Sequence, residues 1–497
     1  MDKIKVFSTR FVDEYSRERI FYGINFGSKA MPLSNAMPYY QDNISFYLSY
    51  FKEHGFNVIR YFLNWEYIEP EPNRYNRAVL EEIGTFLDEC EKNNIYVILD
   101  MHQDLFGAFN KRVYSKKDNG MGNGAPRWAC ITNGARYKNH RFLWAAGYFN
   151  DKAVHNAFDN FWENTEVYGR GLLDRFCDLW RMLAKKFGNH PSVLGFDILN
   201  EPFPGSDGGK VFNQLVKSAL TTAVKSKKLN RKEFLKSIAD KNPVKSVLDQ
   251  FSGEFLNEIT QPCGELIKKF DTERYFPFIN KVTAAIREET QNGVIFRENC
   301  YYSNIGIPSC APPIAVNNKR EENQAFAPHA YDFMVDSPFY KYANNSRIEA
   351  IFRKRREEQN KLDMPVLVGE WGGGGALDWI DHGEFILNLF DSFKWSSTYW
   401  CFDKHLTEFP VMQMLCRPHP VAVCGIIEKY NFDKNNQCFY LSFNQNREFD
   451  VPTEIFCHKK PCRIIANGRY ELEQLSAYTY ILTLFTEKGS NEITVEF

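Results

Sequence analysis

Two glutamates in this sequence could perform catalysis together. Glu201 ends the apolar stretch FDILNEPF, in which Pro202 prevents a strand from continuing, and Glu370 lies in the comparable stretch PVLVGEW. An unpaired buried carboxylate is costly, so each must either be satisfied by its neighbours or face a cavity in which it works. Two carboxylates that face each other across a cleft can cleave a glycosidic bond, because one donates a proton while the other attacks the anomeric carbon.

The pattern along the chain indicates how these glutamates are positioned. Up to about residue 405, short apolar runs alternate with amphipathic helical patterns, which predicts parallel strands joined by helical crossovers. A count of eight such runs predicts an α/β fold, a (β/α)₈ TIM barrel. A doubly wound open sheet is the alternative, but no GxGxxG motif follows the first run. The runs cover residues 21–25, 57–65, 95–104, 193–201, 294–299, 325–331, 365–371 and 397–403.

The periodicity changes after about residue 410. Strand-like segments then follow one another without helices, which predicts a small antiparallel β-sandwich. The Asn-Gly pair at residues 467–468 is a strong signal for a hairpin. We therefore expect two domains, a catalytic barrel over residues 1–410 and a C-terminal antiparallel β-sandwich domain over residues 411–497.

Polar and aromatic residues lie at the predicted carboxyl ends of the strands, which form the active face of such a barrel. Strands four and seven lie on opposite sides, so we expect Glu201 and Glu370 to face each other. Arg60 and Tyr331 are expected to keep Glu370 ionised. That leaves Glu201 as the acid/base, with Asn200 beside it to hold a sugar hydroxyl. The other strand ends carry Trp65, His102, Gln103, Asp104, Glu298, Asn299, His329, Trp371, Trp400 and Asp403.

The motif LNEP (residues 199–202), followed on strand seven by GEWGG (residues 369–373), resembles glycoside hydrolase family five of clan A. In that clan the glutamate after asparagine on strand four is the acid/base, and the glutamate on strand seven is the nucleophile. Here these positions are Glu201 and Glu370. The resemblance also implies that supporting or substrate-binding roles fall to Arg60, His102, Asn200, His329, Tyr331 and Trp400.

Further motifs are similar to those of the endoglycoceramidases within this family. They are DMHQD (residues 100–104), GNGAPRWA (122–129) and FDNFW (158–162), and together with the C-terminal domain they extend the resemblance over both domains. The resemblance implies a retaining endo-β-glycosidase that hydrolyses, by double displacement, the linkage between oligosaccharide and ceramide in a glycosphingolipid. It also implies that Lys29 and Asp104 contact the first sugar. Retention predicts carboxylates roughly 5–5.5 Å apart.

A ceramide leaving group needs an apolar groove beside the acid/base. The first insertion, residues 107–150, is long and rich in aromatic residues, which favours a lid or a lipid-facing rim. The alternative is a loop that buries its own aromatic side chains. The second insertion, residues 204–253, is rich in lysine, which favours either transient contact with a membrane surface or a solvated helical excursion. The large apolar residues in and beside the first insertion are Phe106, Phe109, Trp128, Phe142, Leu143, Trp144, Tyr148 and Phe149.

The composition excludes several partners and cofactors. A formal net charge of −1 predicts no binding to nucleic acid. No pair of CxxC or HxxxH motifs indicates zinc, and we expect neither a metal nor another cofactor. We also expect a monomer. The first residues form no apolar signal region and no run of about 18 apolar residues occurs, which predicts a cytoplasmic protein, or a secreted one if a signal has been removed.

Three alternatives stay open at this stage. The first is another family-five β-glucosidase, which removes one sugar from a lipid or steryl glucoside such as glucosylceramide. The second is a non-catalytic protein that binds glycans or lipids, which the presence of both glutamates disfavours. The third is a plain endoglucanase, which the GNGAP loop and the sandwich domain disfavour.

Overall fold

A computed structural model describes residues 1–28, 40–107, 122–138, 145–225, 251–335, 339–373, 377–402 and 406–497. Eight parallel strands form its central barrel, and each overlaps one of the runs predicted from the sequence. They are β1 (Tyr22–Phe26), β2 (Val58–Leu63), β3 (Tyr96–Met101), β4 (Val193–Asp197), β5 (Val294–Arg297), β6 (Gln324–Phe326), β7 (Leu367–Gly372) and β8 (Ser396–Trp400).

The strands are hydrogen-bonded in the order β6-β5-β4-β3-β2-β1-β8-β7. Parallel bridges from Phe326 to Val366 and from His329 to Glu370 join the β6 and β7 segments and close the barrel. Every residue of β2 and β3 is buried, as expected for strands covered by side chains inside and by helices outside. The predicted barrel is therefore confirmed.

Helices surround the barrel and fill the connections between its strands. The helix Arg77–Lys92 shows how the sequence starts one, since the Asn76 side chain accepts hydrogen bonds from the first free backbone N–H groups. Two helices are important below, α1 (Asp207–Lys225) and α2 (Gly253–Thr260). The other α-helices are Tyr40–Glu53, Trp65–Ile68, Ala146–Asn150, Lys152–Trp162, Leu172–Phe187, Gly264–Phe270, Phe276–Arg287, Asn345–Leu362, Ile380–Phe393 and Val411–Leu415.

Shorter elements link these helices and strands. Two small hairpins pair Glu166–Val167 with Arg170–Gly171 and Ala315–Val316 with Lys319–Arg320. Within the described ranges, no helix has the length and apolarity needed to cross a membrane. One π-helical turn covers Asp271–Tyr275, and 3₁₀ turns cover Arg127–Ala129, Gln261–Cys263, Tyr301–Ile305, Tyr340–Tyr342, Leu377–Trp379 and Leu406–Glu408.

The C-terminal part folds into two antiparallel sheets, as the sequence predicted. Apolar side chains of both sheets, such as Leu482 from one and Leu441 from the other, pack into a core distinct from that of the barrel. The strands are His419–Val423, Ile426–Asp433, Cys438–Gln445, Thr453–Cys457, Arg463–Ala466, Arg469–Gln474, Tyr480–Phe485 and Gly489–Glu496.

The N-terminal strands Lys5–Phe7, Arg10–Val12 and Glu18–Arg19 belong to the larger of these two sheets. Residues 18 and 19 pair with residues 423 and 422. The chain therefore begins in the sandwich before it enters the barrel. The predicted boundary at residue 410 describes only the point at which the chain returns from the barrel to the sandwich. This boundary stays a prediction.

The hairpin predicted at the Asn-Gly pair is wrong. Arg463–Ala466 pairs with Gly489–Glu496, whereas Arg469–Gln474 pairs with Tyr480–Phe485 in the other sheet. The turn therefore carries the chain from one sheet to the other. Gly468 is needed there because its φ is +106° and an added Cβ would lie 2.2 Å from the carbonyl oxygen of Phe485.

Candidate active site

Arg60 lies at the centre of the polar cluster inside the barrel. It is fully buried, and its guanidinium lies 2.7–2.9 Å from carboxylate oxygens of Asp100, Asp197, Glu298 and Glu370. Burial alone would lower the pKa of Arg60, but the attraction of these carboxylates raises it well above its ordinary value. The guanidinium therefore stays charged and holds the carboxylates together.

Glu370 on β7 is surrounded by groups that favour its ionised form. Nη1 of Arg60 donates a hydrogen bond to Oε1 at 2.7 Å, and the hydroxyl of Tyr331 donates to Oε2 at 3.0 Å. A positive charge and a hydrogen-bond donor both stabilise a carboxylate. The structure thus brings together the three residues that the sequence placed around a nucleophile.

Glu201 follows β4 and has a different environment. It is almost completely buried, and its Oε1 accepts hydrogen bonds from Nδ2 of Asn304 at 2.6 Å and from Nδ1 of His329 at 3.2 Å. Burial raises the pKa of Glu201 to about 7, and the neighbouring charge of Glu370 acts in the same direction. Its backbone N–H donates to Glu298 at 2.7 Å, which fixes the residue in the left-handed conformation with φ +46°. Glu201 can therefore keep a proton near neutral pH.

The two glutamates are close enough to act on one bond. One carboxylate oxygen of Glu201 lies within 4.8 Å of one of Glu370. Retaining glycosidases have carboxyl groups about 5–5.5 Å apart, whereas inverting enzymes leave about 6.5–9.5 Å for a water molecule. The spacing therefore favours retention.

His329 lies between the carboxylates. Its Nδ1 is 3.2 Å from Glu201 and 3.6 Å from Glu370, and its Nε2 is 3.3 Å from Glu298. Burial alone would lower the pKa of His329, but the charges of Glu298 and Glu370 outweigh it and raise the pKa well above the ordinary value. A charged imidazolium can donate hydrogen bonds from both ring nitrogens.

Asn200 is tied into the protein by both ends of its amide. Its Oδ1 accepts from Arg60 at 2.9 Å, and its Nδ2 donates to the carbonyl of Gln103 at 3.0 Å. These two bonds use one lone pair of Oδ1 and one hydrogen of Nδ2. The expected contact with a sugar hydroxyl therefore stays a prediction.

The remaining sequence candidates are His102, Trp400, Asp104 and Lys29. Nδ1 of His102 donates a hydrogen bond to Oδ2 of Asp100 at 2.8 Å, and its ring stacks on Trp400 with 5.6 Å between centroids. Asp104 is bonded to the side chain of Asn123 at 2.7 Å, which brings the GNGAP loop to the site. Lys29 lies outside the described residues.

A cavity of about 710 Å³ joins this polar cluster to an apolar groove. That volume lies in the range of roughly 300–1,000 Å³ that holds small ligands. Glu201, Glu370, Asp104, Asn123 and Trp400 line its polar end. The groove is lined mainly by residues of α1 and α2 and of the segment before α2, including Leu215, Ala219, Phe251, Phe255, Leu256 and Ile259.

The described aromatic residues in and beside the first insertion divide between the two hypotheses, a lipid-facing rim and a loop that buries its own side chains. Phe106 and Tyr148 are buried in the core, and Trp128 packs edge-on against Trp65. Phe149 does line the cavity, while Phe109, Phe142, Leu143 and Trp144 lie outside the described residues. Phe106 and Tyr148 therefore complete the hydrophobic core, whereas the groove is built largely by α1, by α2 and by the segment before α2.

The roles of Asn304 and Glu298, among other residues of the site, were not identified from the sequence. Asn304 lies in the turn Tyr301–Ile305, away from any strand end or motif. Glu298 was recognised only as a polar strand end, yet it contacts Arg60, His329 and the backbone of Glu201. An acidic residue directly after a buried strand was the one available signal.

Two sets of buried side chains bring possible metal ligands together. They are Asp197, Glu298 and His329, and Glu201, His329 and Glu370, with atoms within 4.8 Å of one another in each set. The guanidinium of Arg60 lies among the same carboxylates and supplies the positive charge that a metal ion would supply. The cluster therefore has the character of an ion-pair network.

Comparison with known proteins gives relatives in one enzyme family. The model for "Cellulase (glycosyl hydrolase family 5)" matches residues 21–406, and the model for "Glycoside hydrolase family 5 C-terminal domain" matches residues 417–495. The endoglycoceramidase of Cyanea nozakii is 31% identical over 220 residues, which are 39% of this chain and 41% of that protein. A glucosylceramidase of Rhizopus delemar is 22% identical over 392 residues, 65% of this chain and 53% of that protein.

Endoglycoceramidase I of Rhodococcus hoagii is 28% identical over 200 residues, which cover 40% of this chain and 36% of that protein. The match thus spans about two fifths of the length of the endoglycoceramidase relatives. The solved structure of endo-glycoceramidase II from Rhodococcus sp. has a TM-score of 0.74 at 21% identity and covers 98% of this chain and 99% of that one. That enzyme has also been solved with ganglioside GM3 and as a lactosyl-enzyme intermediate. At this identity the likeness establishes the fold.

The family assignment rests on the extent of the matching region. Residues 21–406 are more than half of the 497 residues, and they contain the NEP and GEW motifs with both glutamates. The chain therefore belongs to glycosyl hydrolase family 5.

Proposed function

We propose that this chain is a retaining endo-β-glycosidase that hydrolyses the linkage between oligosaccharide and ceramide in glycosphingolipids. One observation carries the proposal: a single cavity holds Glu201 and Glu370 at one end and continues into an apolar groove. A polar sugar leaving group would gain little binding free energy from such a groove. A hydrocarbon chain gains roughly 0.8 kcal/mol of binding free energy for each buried CH₂. The names of the endoglycoceramidase relatives support the same substrate.

The reaction takes two displacements at the anomeric carbon. Glu370 attacks that carbon while Glu201 transfers its proton to the glycosidic oxygen, so that ceramide leaves as a neutral alcohol and the glycan becomes an ester of Glu370. Glu201, now ionised, takes a proton from a water molecule that attacks the same carbon. The glycan is released with its configuration retained, and both glutamates return to their starting protonation states.

The surroundings of the two glutamates suit these two roles. Burial raises the pKa of Glu201 to about 7, so a large fraction of this acid keeps its proton at neutral pH. Arg60 donates to Oε1 of Glu370 and Tyr331 donates to Oε2. These two hydrogen bonds stabilise the negative charge that a nucleophile needs. Environments that separate the protonation states of two carboxyls are what acid and nucleophile roles require.

Transient contact with a membrane surface is part of this proposal. Val216 and Phe333 line the cavity and are 42% and 37% exposed, so they mark its mouth. Leu220, one helical turn after Val216, is 66% exposed. Apolar side chains around the opening could touch the lipid surface from which ceramide is withdrawn. We propose that the enzyme acts there as a monomer.

Product analysis tests the substrate. A defined ganglioside is digested with the wild type and with the variants Glu201→Gln and Glu370→Ser, and the products are identified by mass spectrometry. We expect intact oligosaccharide and ceramide from the wild type and neither product from the two variants. Release of single terminal sugars, or hydrolysis of aryl glucosides without cleavage of the ganglioside, would contradict the proposal.

The apolar groove has its own test. Ala219 lines the cavity on α1, so Ala219→Trp should fill the groove and reduce kcat/KM for a glycosphingolipid at least about 10-fold, since several buried CH₂ groups are lost. Activity on a soluble aryl lactoside should stay within about twofold. Asn213→Trp, at an exposed position of the same helix that does not line the cavity, is the matched control. Equal losses on both substrates would show that the groove does not bind the lipid.

Glucosylceramide is the alternative substrate class. The glucosylceramidase of Rhizopus delemar matches the larger share of this chain, 65%, which favours a single glucose on the lipid. Rates on glucosylceramide, a steryl glucoside and a ganglioside distinguish the candidates. A preference for the ganglioside supports the endo activity, and cleavage of the glucosides alone supports the alternative.

A further inference from the structure

Asn304 makes a short contact with the acid/base. Its Nδ2 donates to Oε1 of Glu201 at 2.6 Å, and Nδ1 of His329 is 3.2 Å from the same oxygen. Among the described residues, no hydrogen bond reaches Oε2 of Glu201, and Glu201 and Asn304 both line the cavity. The two oxygens of this carboxyl group therefore have different surroundings.

This asymmetry determines which oxygen can hold the proton. An oxygen that already accepts from two N–H groups cannot also carry a hydrogen without a clash between donors. The proton therefore belongs on Oε2, which is open to the cavity. Given the proposed role of Glu201 as the acid, we infer that Asn304 is a positioning residue that, with His329, keeps Oε1 unprotonated and directs the acid proton on Oε2 toward the leaving oxygen.

Two backbone hydrogen bonds hold the turn that contains Asn304, one to the segment of Glu201 and one to the segment of Tyr331. In its turn, the N–H of Tyr301 donates to the carbonyl of Pro202 at 2.9 Å, directly beside Glu201. On the other side, the N–H of Tyr331 donates to the carbonyl of Asn304 at 3.3 Å, and the Tyr331 hydroxyl donates to Glu370. Asn304 thus lies in a rigid turn that connects the acid with the partner of the nucleophile.

The charges facing Glu201 define what loss of Asn304 should do. His329 on the β6 side is the neighbouring cation, while Glu370 on β7 and Glu298 after β5 are the neighbouring carboxylates. Asn304 adds a neutral donor, which stabilises the ionised carboxylate more than the neutral acid. Its removal should therefore raise the pKa of Glu201 and also leave the proton free to occupy either oxygen.

Kinetics of Asn304→Ala on aryl lactosides with leaving groups of graded acidity test the inference. Such substrates contain no lipid, so the result does not depend on the ceramide claim. For a poorly acidic phenol, kcat/KM should fall about 10- to 100-fold, because general acid catalysis contributes about 10²–10⁴. For dinitrophenol, which leaves without a proton, kcat/KM should change less than about twofold. The basic limb of the pH profile should move to higher pH.

Two control variants separate positioning from folding. Ser303→Ala alters the neighbouring buried residue, whose hydroxyl makes no hydrogen bond in the described structure, and it should behave like the wild type. Asn304→Gln keeps a donor and should recover part of the activity on the poor leaving group. Equal losses on both substrates, an unchanged pH profile, or the same effect from Ser303→Ala would overturn the inference. Failure of the wild type on every aryl lactoside would instead contradict the glycosidase proposal itself.

Discussion

Replacing Glu201 by glutamine should stabilise the fold by an amount that grows with pH. Burial raises the pKa of Glu201 from 4.5 to about 7. The folded state therefore holds this proton more tightly than the unfolded chain does. The stability that comes from the protonated acid is complete at pH values below 4.5 and is lost as the pH rises to about 7. Glutamine stays neutral and loses nothing over that range.

The expected size follows from the two pKa values. One pKa unit corresponds to about 1.4 kcal/mol, and integration between pH 5 and pH 8 gives about 2.5 kcal/mol in favour of Glu201→Gln. For a chain of 497 residues this free energy corresponds to a difference of about 2 °C in melting temperature. Thermal unfolding of both proteins in matched buffers, followed by circular dichroism, measures it. We expect the advantage of the variant to be about 2 °C larger at pH 8 than at pH 5.

Glu370→Gln is the matched control, because it makes the same chemical change in the same cavity. Glu370 is a partner of the buried Arg60 at 2.7 Å, so its neutralisation removes charge that the guanidinium needs. Its melting temperature should fall at both pH values. An advantage of Glu201→Gln that is the same at pH 5 and pH 8 would refute the explanation that burial raises the pKa of Glu201.

Three further predictions follow from the same contacts. Arg60→Met leaves four buried carboxylates without their cation, so it should lower the free energy of unfolding by at least about 3–5 kcal/mol and abolish activity; wild-type melting would contradict this. The pH profile of kcat/KM should fall above about pH 7, where Glu201 loses its proton, and a profile flat to pH 9 would contradict that assignment. Gly468→Ala forces a positive φ of +106° on alanine and a contact of 2.2 Å with Phe485, so unfolding experiments should show a loss of about 1–3 kcal/mol; an unchanged midpoint would contradict it.

The barrel and its central residues could be predicted because their signals are local. Each strand is a short apolar run followed by a polar residue, and parallel strands bring such residues to one end of the barrel. The contact of Arg60 with Glu370 follows from that arrangement. The GEW motif also has a physical reason: a Cβ on Gly369 would lie 2.7 Å from Nε2 of His329, so glycine leaves room for the imidazole.

The groove and Asn304 could not be predicted because they depend on tertiary contacts. The aromatic residues in and beside the first insertion have the composition of a lipid rim, yet Phe106 and Tyr148 are 2% and 0% exposed, whereas Phe149 lines the cavity. Composition does not determine which side of a loop faces the core. The lysine-rich composition of the second insertion similarly gave no sign that α1 presents Leu215, Val216 and Ala219 to the cavity. The position of Asn304 depends on a 3₁₀ turn, and no periodic pattern in the sequence predicts that turn.

The N-terminal strands escaped prediction for a related reason. They are two or three residues long, and residues 18 and 19 pair with residues 423 and 422. Such pairing is determined by the folded surface of the sandwich and leaves no pattern in a short stretch of sequence. Tertiary contacts likewise determined the turn at Asn467 and Gly468, where a strong local hairpin signal joins two different sheets.

Digestion of a defined glycosphingolipid in H₂¹⁸O, with mass spectrometry of both products, tests the central claim most directly. Attack of water on a glycosyl ester of Glu370 places the label on the anomeric carbon. We therefore predict an intact oligosaccharide with one ¹⁸O at its reducing end and an unlabelled ceramide, with no products from Glu201→Gln or Glu370→Ser. Label in the ceramide, or release of terminal monosaccharides with the lipid still glycosylated, would contradict the claim.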